Sequence, residues 1–200
     1  MKLLNGLTQT TPQNFQLDAG VWLTGVTWEG VSDEETLRNA ITTAMGTPTN
    51  VLGATSGGGS IEIVPDIRDL MEDVDGAVGM YKDCLAVNKI DCKVKTKIAE
   101  VKVGTMLMAI GCAEEAALGS SGKKITLRNH FLSKDYKEIV WAGTLNKSDG
   151  LMVVRVKNAI STGGLNFEIE NQGKGKFDLE LTPCIDLAKP DESPIEIYLV

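Results

Sequence analysis

Apolar and polar residues alternate most cleanly over residues 89–98. Ile90, Cys92, Val94, Thr96 and Ile98 share one parity there, and Lys89, Asp91, Lys93, Lys95 and Lys97 the other. That period predicts a strand with one wet face. Phe177, Leu179 and Leu181 alternate in the same way with Asp178, Glu180 and Thr182. Further runs predict strands over residues 19–28, 124–131, 136–142, 151–159, 165–170, 176–185 and 195–199. Turn signals separate them at Ser133-Lys134-Asp135, Lys147-Ser148-Asp149-Gly150, Thr162-Gly163-Gly164 and Gly173-Lys174-Gly175. Two stretches change to helical spacing. Ser32 and Glu35 read as a capping box, Ser32 at the N-cap, with Leu37, Ala40, Ile41, Ala44 and Met45 following and Gly46 as the stop. Met106, Ala109, Ile110, Ala113 and Ala117 predict a second helix ending near Gly119.

The glycines Gly57, Gly58 and Gly59 read as the turn of a hairpin between residues 51–54 and 60–64. Pro65 then ends that second strand or marks it as an edge. The predicted fold is mainly β: a β-sandwich or partly open barrel with one or two short helices. One domain covers residues 1–200, with an amino-terminal arm over 1–18 and a long acidic loop over 65–83. Two hundred residues can bury roughly 70% of the unfolded surface without added staples.

Charge is concentrated rather than spread. Residues 62–83 hold seven acids against Arg68 and Lys82, a net −5 within a chain of net −7. Yet Ile67, Leu70, Met71, Val74, Ala77, Val78, Met80 and Tyr81 run through the same segment. Two readings stand: a solvated loop folded onto its own domain, or a loop that docks on a partner. The docking set is Pro65, Ile67, Arg68, Leu70, Met71, Val74, Val78, Met80 and Tyr81.

Chemistry-bearing patterns are sparse. The single histidine, His130, falls on a predicted strand, where a structural or surface role fits better than a base. No nucleophile elbow, Walker loop or dinucleotide fingerprint occurs. Asp73-Val74-Asp75-Gly76 echoes a calcium loop, but Met71 and Lys82 would stand at its first and twelfth positions. Cys84, Cys92, Cys112 and Cys184 have no C-x-x-C spacing and read as small thiols, Cys92 on the apolar strand face and Cys112 in the second helix. No enzyme activity, cofactor or metal is expected. No apolar run reaches the length of a membrane span, and MKLLNGLTQTTP lacks the apolar core of a signal peptide, so the cytoplasm is the expected compartment. A lysine row at 89, 93, 95 and 97 in an acidic chain is too small a footprint for nucleic-acid binding.

The segment GATSGGGSIEIVPDIRDL, followed by VDGAVG, resembles the major tail (tail tube) proteins of tailed bacteriophages. NFQLDAGVWLTG resembles that family's amino-terminal arm and first strand, and KIDCKVKTKIAEV the strand before its helix. The likeness runs in patches over roughly the first two thirds of the chain. It implies a structural subunit that forms hexameric rings, stacked into a hollow tube through which DNA passes without specific binding. It further implies a virion tail assembled in the host cytoplasm, with tape-measure, tail-tip and terminator proteins as other partners. For such a tube, Glu168, Glu170, Asp178 and Glu180 are candidate lumen acids, and the lysine row is expected to face away from them. The alternative from another class is a β-sandwich module that binds carbohydrate, for which only Trp22, Trp28 and Trp141 offer aromatic platforms.

Overall fold

The computed structural model describes residues 6–200, and its elements are mostly antiparallel strands. In chain order they are β1 (Gln16–Leu23), α1 (Glu34–Met45), β2 (Thr55–Asp69), β3 (Leu85–Ile98), α2 (Val103–Ile110), β4 (Ala113–Leu118), β5 (Gly122–Leu127), β6 (Lys137–Leu145), β7 (Leu151–Ser161), β8 (Phe167–Glu168), β9 (Lys176–Pro183) and β10 (Ile195–Leu199). The main sheet runs β1-β6-β7-β9-β3-β2, with β10 beside β7 and β8 beside β9. β4 and β5 form a separate two-stranded sheet.

Burial explains the pattern of each strand. β6 and β7 are covered on both faces, so their sequences are nearly continuous apolar runs. Ile139, Val154 and Val156 point to one core with Trp22, Phe177, Leu179 and Leu181. Val140, Ala142 and Val153 point the other way, to a second core under Leu37, Ile41 and Ala44 of α1. β3 and β9 are covered on one face only and alternate: Cys92, Val94 and Ile98 are buried between lysines, as are Phe177, Leu179 and Leu181 between polar residues. The two ends of the strand path meet, because the chain entering β2 returns along β1. Leu23 bridges Val51, and the Leu52 amide donates to the Trp22 carbonyl at 3.0 Å.

Several expectations are corrected. The α1 cap is Asp33, not Ser32: its carboxylate accepts from the Thr36 amide at 2.8 Å, and the Thr36 hydroxyl accepts from the Asp33 amide at 3.1 Å. Thr36 thus takes the place expected of Glu35. The second helix stops at Ile110 because Gly111 adopts φ 82°, and Ala113 and Ala117 lie in β4 instead. Alanine's helical preference yields there to the strand partner β5 supplies. Cys112 accordingly lies past the helix, and His130 lies beyond β5 rather than on it. No hairpin turns at Gly57 to Gly59: these residues belong to β2, where positive φ at Gly57 and Gly58 accompanies a bulge. β1 begins and ends earlier than expected, taking in part of the predicted arm. The strand expected over 165–170 shrinks to Phe167–Glu168, whereas 195–199 is as read.

Candidate assembly surface

β2 and β3 form one long hairpin, and its outer part leaves the body of the fold. Pro65 does not end β2. It pairs with Ile90 within the ladder, a position a proline tolerates because β2 is the last strand of the path and alternate amides of an edge strand point outwards. The first five residues of the expected loop over 65–83 are therefore strand. Pro65, Ile67 and Arg68 lie in β2, while Leu70, Met71, Val74, Val78, Met80 and Tyr81 lie in the connection between the strands.

Register places most of the apolar residues of this hairpin's strands on one face. Ile61 faces Val94, Ile63 faces Cys92, Pro65 faces Ile90 and Ile67 faces Val87, all directly opposite and hence on the same side of the sheet. The ladder skips Asn88 between the last two pairs, a bulge that keeps Ile67 and Val87 on that face. The stripe starts in the core at Val94 and runs outwards until nothing covers it: Cys92 is buried, Ile63 is 41% exposed and Ile90 60%. The opposite face is mostly polar, with Glu62 across from Lys93 and Asp66 across from Lys89, and exposed Val64 between them across from Asp91.

At the tip the chain is folded onto itself by local bonds. Leu70 donates to the Cys84 carbonyl at 2.8 Å, Met71 to the Asp69 carboxylate at 2.9 Å, and Val78 to the Tyr81 hydroxyl at 3.3 Å. Met71 is half-buried in this knot, but Leu70, Val74, Met80 and Tyr81 are exposed and Val78 is 93% so. The reading of a loop packed on its own domain does not hold for these side chains.

The expected separation of an acidic wall from a lysine row does not hold either. Asp178 and Glu180 of β9 stand on the same face of the sheet as Lys93, Lys95 and Lys97 of β3, and Glu168 of β8 joins them. Lys97 approaches Glu168 at 2.7 Å and Asp178 at 3.7 Å; Glu180 takes Lys95 at 3.2 Å and Lys93 at 3.6 Å. The hydrogen bond that Lys97 donates to Glu168 holds its ammonium above its ordinary pKa, Asp178 adding to it. Only Lys89 of the row lies apart, paired with Asp91. Glu170 is exposed beside Gly173 and outside this strip. Above Lys95 and Lys97 lies a trough of about 750 Å³, walled by Gly57 to Gly59 on one side and Gly163 and Gly164 on the other. Its charges are already compensated.

The tryptophans present no open platform. Trp22 is buried, Trp141 is tied to the Ala19 carbonyl through its ring N–H at 3.0 Å, and Trp28 stacks on Tyr198 at 5.5 Å with the Arg155 guanidinium 4.3 Å from its ring centre. Among the described residues, no group of three or more His, Cys, Asp or Glu side chains is placed to hold a metal ion, and no helix is long and apolar enough to cross a membrane. Burial pushes the Cys92 thiol up to about 11, with the Glu62 charge adding to it.

The feature that sequence reasoning missed is the β4–β5 hairpin: β4 lay hidden inside the expected second helix, while β5 overlaps the strand expected over 124–131. Its signal was the pair of glycines Gly111 and Gly119 bracketing residues 112–118. Arg128, just past β5, anchors it: the guanidinium donates to both oxygens of Asp135 at 2.7 and 2.8 Å and to the Ala113 carbonyl at 2.9 Å, nearly out of solvent. No protein-family model and no curated protein matches this chain.

Proposed function

We propose that this chain is a self-assembling structural subunit of a tailed-phage tail tube, forming hexameric rings that stack into a conduit for DNA. One observation carries the reading. The β2–β3 hairpin continues the core's apolar face beyond the point where the subunit can cover it, and ends in a tip rich in exposed apolar side chains. Covering about six half-exposed aliphatic side chains yields on the order of 5 to 10 kcal/mol of gross transfer energy, enough to matter against the cost of association. A hydrophobic stripe of this kind marks an interface. The resemblance of the segment from Gly53 through β2 to tail tube proteins supplies the identity of the partner: further copies of the same chain. A sheet whose first strand meets, at Leu23 and Val51, the chain that enters its last strand is in keeping with the partly open barrel expected of such a subunit. The carbohydrate-module reading has less to support it, since Trp22 is buried, Trp28 is stacked on Tyr198, and Trp141 is part-buried and tied to the Ala19 carbonyl.

Negative-stain microscopy of concentrated purified protein tests the proposal. Rings or tubes are expected. A version with residues 66–84 replaced by a short Gly/Ser turn should fold and remain unassembled. Monodisperse subunits at all concentrations, or tubes that form without the hairpin end, would overturn the reading.

A further inference from the structure

The two-stranded sheet of β4 and β5 stands alone, and its charges are sorted by strand. β4 carries Glu114 and Glu115 and no base; β5 carries Lys123 and Lys124 and no acid. From Glu114 to Leu127 the backbone of the described residues bonds only within this pair, so both outer edges are open. A lone two-stranded ribbon is marginal in water, and an open edge is a template for another strand. Leu118 and Leu127 are 61% and 73% exposed on it. Its root is nevertheless pinned by the buried Arg128–Asp135 pair.

We propose that this hairpin closes the ring, with the basic β5 of one copy adding to the acidic β4 of the next. The inference rests on the self-assembly reading above and assigns one of its contacts. Pairing like edges across a two-fold axis would set Glu114 and Glu115 against their own copies, or Lys123 and Lys124 against theirs, which is unfavourable. Only β5 against β4 pairs opposite charges. That contact is head-to-tail, the kind that generates a ring when the rotation closes. It is also antiparallel throughout, because copies related by rotation present their hairpins in one direction and β5 of each then runs against β4 of its neighbour.

Charge reversal tests this on the full chain. The variant E114K/E115K has two basic strands and K123E/K124E two acidic ones. Each alone is expected to lose assembly, read as the disappearance of fast-sedimenting particles, while keeping its far-ultraviolet circular dichroism. Mixing the two should restore the particles, because every contact of an alternating ring then pairs Lys with Glu. The internal Lys123–Glu115 pair at 3.2 Å stays broken in both variants, so rescue on mixing reports the contact between copies and not hairpin repair. Single reversals that assemble like the parent, or a mixture that stays dispersed, overturn the inference while leaving self-assembly standing. Failure of the parent chain to assemble removes both. Should the reversals not fold, the neutral variant E115Q/K124Q decides: its assembly should be less sensitive to salt than the parent's, and an unchanged sensitivity overturns the proposal.

Discussion

Lys97 and Glu168 meet at 2.7 Å on the outer face of the sheet, and this contact makes the lysine row electrically quiet. Lys93 and Lys95 share Glu180, and Lys97 is met by both Glu168 and Asp178, so three acids stand against three lysines. The pairs are half exposed, so each adds no more than about 1 kcal/mol to stability. Their consequence is for polyanions. A duplex approaching this face meets lysines that already carry carboxylate partners, with Glu62 across from Lys93 as a further acid within a Debye length, about 8 Å.

Removing the acids should expose the row. The triple variant E168Q/D178N/E180Q is expected to keep its melting temperature within a few degrees and to bind a DNA duplex with an affinity that falls steeply with salt, as a three-lysine contact requires. Fluorescence anisotropy with a labelled oligonucleotide checks this. Equal binding by the parent chain would show that the row is not neutralised.

The apolar stripe can be separated from folding. Ile90 and Val87 are mostly exposed in the subunit, so I90K/V87K should cost the isolated subunit less than about 1 kcal/mol. The same change should abolish assembly if the stripe is covered by a neighbour. Chemical denaturation and sedimentation read the two effects independently, and tubes formed by this variant would remove the stripe from the interface.

Asp135 should be the acid-sensitive point of the β4–β5 root. Burial opposes its charge, but the hydrogen bond from Arg128 and the Leu132 amide outweigh that and hold the carboxyl below its ordinary 3.8. A depressed pKa stabilises the fold above the unfolded value and loses that contribution as pH falls through the folded one. The parent should therefore lose stability more steeply than D135N below about pH 4. At neutral pH, D135N strands the Arg128 guanidinium and should cost about 3 kcal/mol. Melting curves across pH test both; parallel curves would show that the pair contributes nothing.

Thiol reactivity should follow burial. With its pKa pushed up to about 11, Cys92 is only about one part in a thousand thiolate at pH 8, and its side chain is buried at the inner end of the stripe. Iodoacetamide should label part-exposed Cys84 and spare Cys92 until denaturant is added. Peptide mass spectrometry gives the answer, and early labelling of Cys92 would mean that the hairpin opens.

Gly59 fixes how the hairpin leaves the body. A Cβ there would fall 2.7 Å from the Lys95 carbonyl and 3.0 Å from the Trp22 ring. G59A should cost about 2 kcal/mol, as overpacking against backbone does. Calorimetry showing no loss would mean that β2 can shift freely over Trp22.

The alternation of residues 89–98 was legible because it records burial on one face only, and β3 keeps that parity from Cys92 inwards. Ile90 has the same parity but lies where the core has ended, so period alone could not tell that it is uncovered. The helix over Leu37, Ile41 and Ala44 was legible for the same local reason, and its cap slipped by one residue because Ser32 and Asp33 can both cap. Of the β4–β5 ribbon, β5 was read in part as the strand over 124–131, but β4 was not legible, because Ala116 and Ala117 prefer helix in isolation and only the pairing with Lys123 and Lys124 makes them strand.

Local pattern determined what each segment could become: which faces are apolar, where glycines permit reversal, and that acids crowd with apolar residues beyond Pro65. Tertiary structure alone decided which charges meet. Glu168, Asp178 and Glu180 lie about 70 to 85 residues from the lysines they neutralise, and sequence parity states that a side chain is on a polar face without stating which polar face it shares. Strand order settles that, since β9 must lie against β3 before Glu180 can reach Lys95, and strand order is set by the packing of the whole core.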